Sequence, residues 1–284
     1  MTKALIVGCG DLGQAIATQL ASLGFNTFGV RRQASSLAGV HMLQADVTLP
    51  ASLTQLTDIQ PEILIYCVAA NGQTDAQYQA HYVEGLRNVL ATQADNAQLK
   101  HVFFVSSTRV YGQVTDELLD DALINETVPA VAADFGGERL LEAERLLENL
   151  PCAHTALRLS GIYGAGRLRM INLAKNPTTW PVQNSWTNRI HRDDAASFMV
   201  HLVQQVANNV ALLPCYIVTD SAPVSQYEVL QWLAAQQKVA FETKMPPIQG
   251  GKRLSNQAML ASGFQLKYPD YRAGYAALLA AESA

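Results

Sequence analysis

Short apolar runs alternate with amphipathic ones through the first 160 residues. Strand-like stretches fall at 4–7, 26–30, 41–44, 63–68, 101–105 and 155–159. Most segments between them carry helical spacing, clearest at 14–23, 75–94 and 137–147. That alternation predicts a parallel sheet wound on both faces by helices, an α/β class of fold. After about residue 161 the pattern becomes irregular and richer in Gly, Pro, Asn and Trp, with short helices expected over 225–236 and 256–263. A further strand is expected at 215–218 and a further helix at 193–206. The pattern therefore implies a first domain over 1–160, to which 190–220 return, and a smaller, mainly substrate-binding lobe over 161–284.

The first apolar run leads straight into Gly-x-Gly-x-x-Gly at Gly8, Gly10 and Gly13, and the helical run that follows is stopped by Gly24. A strand entering such a turn and a helix leaving it form a dinucleotide-binding fingerprint. Gly8 permits the tight turn, Gly10 lets a pyrophosphate approach bare backbone, and Gly13 lets the helix pack against the strand. The second strand ends in Arg31 and Arg32, where an acid would bind the adenosine ribose. Two guanidiniums there pair with a 2′-phosphate and favour NADP over NAD, unless they are two solvated loop arginines. Asp46, after the third strand, is either a hydrogen-bond acceptor for the adenine amino group or a turn-capping Asp.

Composition narrows the class further. Apolar residues make up 49% of the 284 and charged ones 15%, which suits a compactly folded chain. A net charge of −4 without a Lys/Arg run argues against nucleic acid or a membrane surface as partner. The N-terminal apolar run is too short for a membrane span and lacks a signal-peptide cleavage pattern, so cytoplasmic residence is expected. Cys9, Cys67, Cys152 and Cys215 have no metal-binding spacing, and buried reduced thiols are the expectation. Cys9, beside a helix N-terminus, is either a small filler of the loop or a stabilised thiolate.

Taken in order, GlyCysGlyAspLeuGly at 8–13, AspVal at 46–47, ValAlaAla at 68–70, PhePheValSerSerThrArgValTyrGly at 103–112, AsnGlu at 125–126, ArgLeuSerGlyIleTyrGlyAlaGlyArg at 158–167 and IleHisArgAspAsp at 190–194 resemble the atypical extended short-chain dehydrogenase/reductases, relatives of nucleoside-diphosphate-sugar epimerases and dehydratases. The resemblance implies a Rossmann-type doubly wound parallel sheet with a smaller C-terminal substrate lobe. It implies cofactor contacts from Asp11 and Leu12 in the glycine loop, from Asp46 and Val47, from Ala69, Ala70 and Ser106, and from Ile162 and Tyr163 beside the nicotinamide. Ser107 matches the catalytic Ser/Thr, whose hydroxyl hydrogen-bonds a substrate oxygen. A homodimer through helices 75–94 and 137–147 is the family's habit.

One part of the family pattern is missing. The Tyr-x-x-x-Lys pair belongs on the helix after AsnGlu, whose sequence from Ala133 reads AlaAspPheGlyGlyGluArgLeu. Alignment on Glu142 or Glu144 puts Asp134 or Gly136 at the Tyr position and Glu138 or Leu140 at the Lys position. General acid–base catalysis is worth roughly 10² to 10⁴-fold, so conventional chemistry without the pair should be slow. Arg139 could hold the cofactor ribose in place of Lys, but a guanidinium is a poor proton carrier. Tyr82 is a second catalytic candidate, with a half-buried helix tyrosine as the alternative. Tyr111 and Tyr163 are expected to pack against the cofactor, and Asp194 to cap a helix. The Arg that clamps a substrate diphosphate would stand four residues before His191, where this chain has Thr187. Two readings follow: an NAD(P)-dependent oxidoreductase or epimerase/dehydratase acting on a small carbonyl or hydroxyl compound such as a nucleotide sugar, or a non-catalytic NAD(P)-binding sensor.

Overall fold

The structure, a computed structural model, describes residues 1–112, 123–242 and 244–282. It forms two compact units. Residues 1–112, 130–158 and 196–216 make the first; the described residues of 113–129, 159–195 and 217–284 make the second.

The sheet of the first unit is built from β1 (Lys3–Val7), β2 (Asn26–Arg31), β3 (Val40–Gln44), β4 (Ile63–Tyr66), β5 (His101–Ser107) and β6 (Ala153–Leu159). Further strands are β7 (Gly161–Tyr163), β8 (Asn184–Thr187), β9 (Arg189–His191), β10 (Cys215–Val218), β11 (Val224–Ser225) and β12 (Ile248–Gly251). Seven of them line up as β10-β6-β5-β4-β1-β2-β3. β1 pairs in parallel with both β2 and β4, β2 with β3, and β4 with β5. Strand order therefore reverses at β1, and an open α/β sheet takes its ligand outside the carboxyl ends at such a reversal. Ala4 to Val7 and Ile63 to Tyr66 are fully buried, as expected of central strands covered on both faces.

Helix α1 (Asp11–Ser22) buries Leu12, Ile16, Ala17 and Leu20 against the sheet and ends before Gly24, at φ 84°. The helix expected over 75–94 differs in its middle. It runs as α2 (Asp75–Tyr78), a π-helical stretch Gln79–Glu84 and α3 (Gly85–Ala91). The Tyr66 hydroxyl donates to the His81 carbonyl, the group that the Gly85 amide would meet in an α-helix. The Gly85 amide bonds the Ala80 carbonyl instead, one residue further back. Hydrophobic spacing does not reveal that diversion.

Helix α4 (Phe135–Leu147) starts later than Ala133, because the Asp134 side chain accepts from the Gly137 amide at 2.9 Å and caps it. It is tied to the sheet by a half-hidden network. Ser106 Oγ donates to Glu144 at 2.6 Å, Arg158 pairs with both Glu144 oxygens at 3.2 and 2.7 Å, and Arg158 Nη1 donates to the Tyr111 hydroxyl at 2.6 Å. The Arg158 and Glu144 side chains are 12% and 11% exposed, so losing either partner would strand a desolvated charge.

In the second unit, α5 (Arg169–Ala174), α7 (Gln226–Gln236) and α9 (Tyr271–Glu282) enclose a core of Ile171, Leu230, Leu233, Tyr271 and Tyr275. The three-stranded sheet β11-β8-β12 and the pair β7-β9 accompany it, with the short α8 (Gln257–Ala261). Helix α6 (Arg192–Ala207) follows β9 directly. Asp194 lies inside its first turn and does not cap it: its two oxygens accept the Lys267 and Tyr268 amides at 2.9 and 2.8 Å, fastening the later chain. At the helix start, His191 Nδ1 accepts the Asp193 amide at 3.2 Å.

Candidate functional site

The first unit gathers the loop after β1, the end of β2, the loop after β4 and the end of β5 along one edge of the sheet. Gly8, at φ 94°, is in the left-handed region, and its amide and that of Cys9 both donate to the Val30 carbonyl at 3.0 and 2.8 Å. A Cβ on Gly8 would lie 2.4 Å from the Cys67 carbonyl oxygen, and one on Gly13 2.4 Å from the Gly8 oxygen. The chain's own packing thus requires these two glycines. Gly10 is different: its φ is −86° and nothing lies within 4 Å of where its Cβ would be. No side chain caps α1 either, so the first-turn amides face a space that suits an anion. The loop accordingly fits a dinucleotide pyrophosphate. Burial pushes the Cys9 thiol up to about 11, against the pull of Arg31, which makes it a loop filler and not a thiolate.

At the end of β2, Arg31 is half-buried and Arg32 exposed, and neither guanidinium has a hydrogen bond or ion pair among the described residues. Asp46 accepts the Thr48 amide and hydroxyl at 2.9 and 2.7 Å. Burial works against its charge, but Thr48 and the nearby Arg32 outweigh it and hold the carboxyl below its ordinary range. Val47 is buried, its carbonyl taken by Asn88 at 2.9 Å. Ala69 is exposed and Ala70 half-buried; the Ala70 amide bonds the Tyr82 phenol. Burial raises Tyr82 above the ordinary phenol value, so near neutrality it is an uncharged hydrogen-bonding group.

Ser107 Oγ accepts the Arg109 amide at 3.2 Å, capping the single turn Thr108–Val110, and keeps its own proton to donate. Ser106, Tyr111, Arg139 and Tyr163 are engaged by the protein itself. Ser106 is 4% exposed and gives its hydroxyl to Glu144. Tyr111, expected against a cofactor, is fully buried and bonded to Arg158. Arg139 is held by Asp75 at 2.7 and 3.1 Å and by Glu142 at 2.8 Å. In the second unit Ile162 is half-buried, whereas Tyr163 packs its ring against Tyr275 and His191, with centroids 4.4 and 5.2 Å away. Its faces are occupied by protein.

Arg109 was not singled out by the sequence. Its Nε donates to both Asp134 oxygens at 2.9 and 3.0 Å, its Nη1 donates to Gln73 at 3.0 Å and to the Tyr78 hydroxyl at 2.8 Å, and its guanidinium carbon stands 5.1 Å from the Tyr78 and Phe135 ring centres. The available signal was one charged residue inside an apolar strand-end motif.

No curated protein matches this chain. Among solved structures, one provisionally described as an NAD-dependent epimerase/dehydratase from Methylobacillus flagellatus is 49% identical, covering 100% of this chain and 99% of its own, with a TM-score of 0.89. A functionally unknown conserved protein from Silicibacter pomeroyi is 26% identical over 99% of both chains, at a TM-score of 0.72. The UDP-glucose 4-epimerase of Thermus thermophilus, solved with NAD, shares the fold at 16% identity and a TM-score of 0.74 over 96% of both chains. With the family profile matching residues 4–212, the chain belongs to the NAD dependent epimerase/dehydratase family.

Proposed function

We propose that the protein binds NADP(H) in preference to NAD(H) and acts as an oxidoreductase or epimerase/dehydratase on a carbonyl or hydroxyl substrate. The pair Arg31 and Arg32 carries the cofactor preference: two guanidiniums with no hydrogen bond or ion pair among the described residues stand at the end of the strand beside the glycine loop, where an adenosine 2′-phosphate would meet them. When bound, the cofactor supplies hydride transfer at its nicotinamide. Ser107 donates its hydroxyl to the substrate oxygen, and Tyr82 supports that region as a neutral phenol. A nucleotide sugar would need its diphosphate clamped elsewhere than at Thr187, whose hydroxyl donates to the Val224 carbonyl and receives Arg189. Cytoplasmic residence and a homodimer complete the proposal.

A second reading, a dinucleotide sensor without turnover, is favoured by α4. Of its four candidate proton-transfer positions, Gly136 has no side chain, Leu140 is 2% exposed and Asp134 is taken by Arg109 and the Gly137 amide, which leaves the exposed Glu138. Calorimetric titration with NADPH and NADH tests the first proposal. A charge-assisted hydrogen bond contributes about 1.5 to 3 kcal/mol, so NADPH should bind about tenfold to hundredfold more tightly. Equal affinities, or tighter NADH, would overturn the preference. A panel of ketones, aldehydes and sugar nucleotides then separates enzyme from sensor: tight NADPH binding with no turnover on any of them selects the sensor.

A further inference from the structure

We infer that Arg109 holds the nicotinamide-side ribose of the bound dinucleotide, taking over the anchoring work of the absent lysine; this rests on the dinucleotide reading above. The first ground is steric. A Cβ on Gly136 would lie 2.4 Å from Arg109 Cζ, 2.5 Å from Nε and 2.6 Å from Nη1, so the guanidinium occupies the space where a side chain at 136 would begin. With the guanidinium in that place, a side chain at 136 would have to push it aside. The second ground is that positions 139 and 140 of this helix do not supply the anchor. Position 140, four residues on, is a buried leucine. Arg139, the sequence candidate for a ribose anchor, is held by two carboxylates.

The third ground is orientation. Asp134, Gln73 and the Tyr78 hydroxyl fix Nε and Nη1, and two rings flank the plane, while Nη2 makes no hydrogen bond among the described residues. A guanidinium held on one side and open on the other is a preorganised donor for hydroxyl oxygens. The fourth ground is placement along the sheet. Arg31 ends β2 and Arg32 follows it, the glycine loop follows β1, and Arg109 follows β5, three strands from β2. Three strand spacings are roughly 14 Å, the scale of an extended dinucleotide. A cofactor with its 2′-phosphate over β2 therefore brings its other half toward Arg109. Asp134 and Gln73 here act as positioning residues.

Fragment binding separates the two halves of the cofactor without any turnover. Wild-type protein and the Arg109→Gln variant are titrated calorimetrically with NADPH and with 2′,5′-ADP, which lacks the nicotinamide riboside. The inference expects Arg109→Gln to weaken NADPH about tenfold or more and to leave 2′,5′-ADP within about twofold, with Arg109→Lys intermediate. Gly136→Ala, which displaces the guanidinium and keeps its charge, should weaken NADPH selectively in the same way. Unchanged NADPH affinity in Arg109→Gln overturns the inference. So does loss of both ligands by Arg109→Gln when Gly136→Ala binds NADPH like the wild type. A wild type that binds neither compound rejects the dinucleotide reading itself, and with it this one.

Discussion

Gly10 is required by no atom of the protein, which makes it the most selective probe of the ligand. A Cβ at position 10 meets no neighbour within 4 Å, so in Gly10→Val the melting temperature should stay within a few degrees while calorimetry shows no dinucleotide binding. Retained NADPH affinity in that variant would remove the loop from the site. Ser107 offers the complementary test once a substrate is found. Ser107→Ala should leave NADPH affinity nearly intact and lower turnover by about 10² or more, with smaller effects from Glu138→Gln. Unchanged turnover would move the chemistry to Tyr82. Single residues were legible in the sequence when their role is local, as with Gly8 and Gly13, whose backbone demands lie within one strand-turn-helix unit. Arg109 was not, because its meaning comes from Gln73, Tyr78, Asp134 and Gly136, brought together only by folding.

Among elements, strand and helix positions followed from apolar periodicity, while the partners that trim and fasten them did not. The Asp134 cap shows this: its carboxylate serves both the Gly137 amide and Arg109, so it fixes the start of α4 and the guanidinium together. Asp134→Ala should cost about 1 kcal/mol from the lost cap, read by urea denaturation, and should also weaken NADPH if Arg109 holds the ribose. The Ser106–Glu144–Arg158–Tyr111 network joins residues 14 to 47 positions apart in the chain, beyond any local pattern. Removing one side of such a desolvated pair costs about 3 to 5 kcal/mol, so Glu144→Leu should shift the urea midpoint far more than a surface change. A midpoint close to that of the wild type would show the pair to be well hydrated.

For the whole molecule, two buried groups make stability depend on pH in opposite directions. Burial pushes His101 down to about 4, and its ring bonds Thr155 at 3.0 Å. The unfolded chain takes up this proton near 6.5 and the folded one only near 4, so stability falls as pH drops through that window, by about 3 kcal/mol at most. Asp220, in the second unit, is pushed up to about 7 by burial, against the opposing field of Arg189. Its unfolded pKa lies near 3.9, so its contribution is lost as pH rises from about 4 to about 7. Thermal melts should therefore show Asp220→Asn gaining on the wild type between pH 5 and 7. Parallel pH curves for the two proteins would place the Asp220 carboxylate in contact with water.

The chain's route also limits how the gene can be recombined. Because the first unit is drawn from three separate stretches, 1–112, 130–158 and 196–216, no single crossover can exchange it for a relative's counterpart. A chimera joined near residue 160 would take β6 from one parent and its sheet neighbour β10 from the other, leaving two independently evolved strands to match. A graft of the second unit has to bring in 113–129 and 159–195 as two insertions together with the chain after 216. Its last seam then falls inside β10, between Tyr216 and Ile217, where the strand itself passes from one unit to the other.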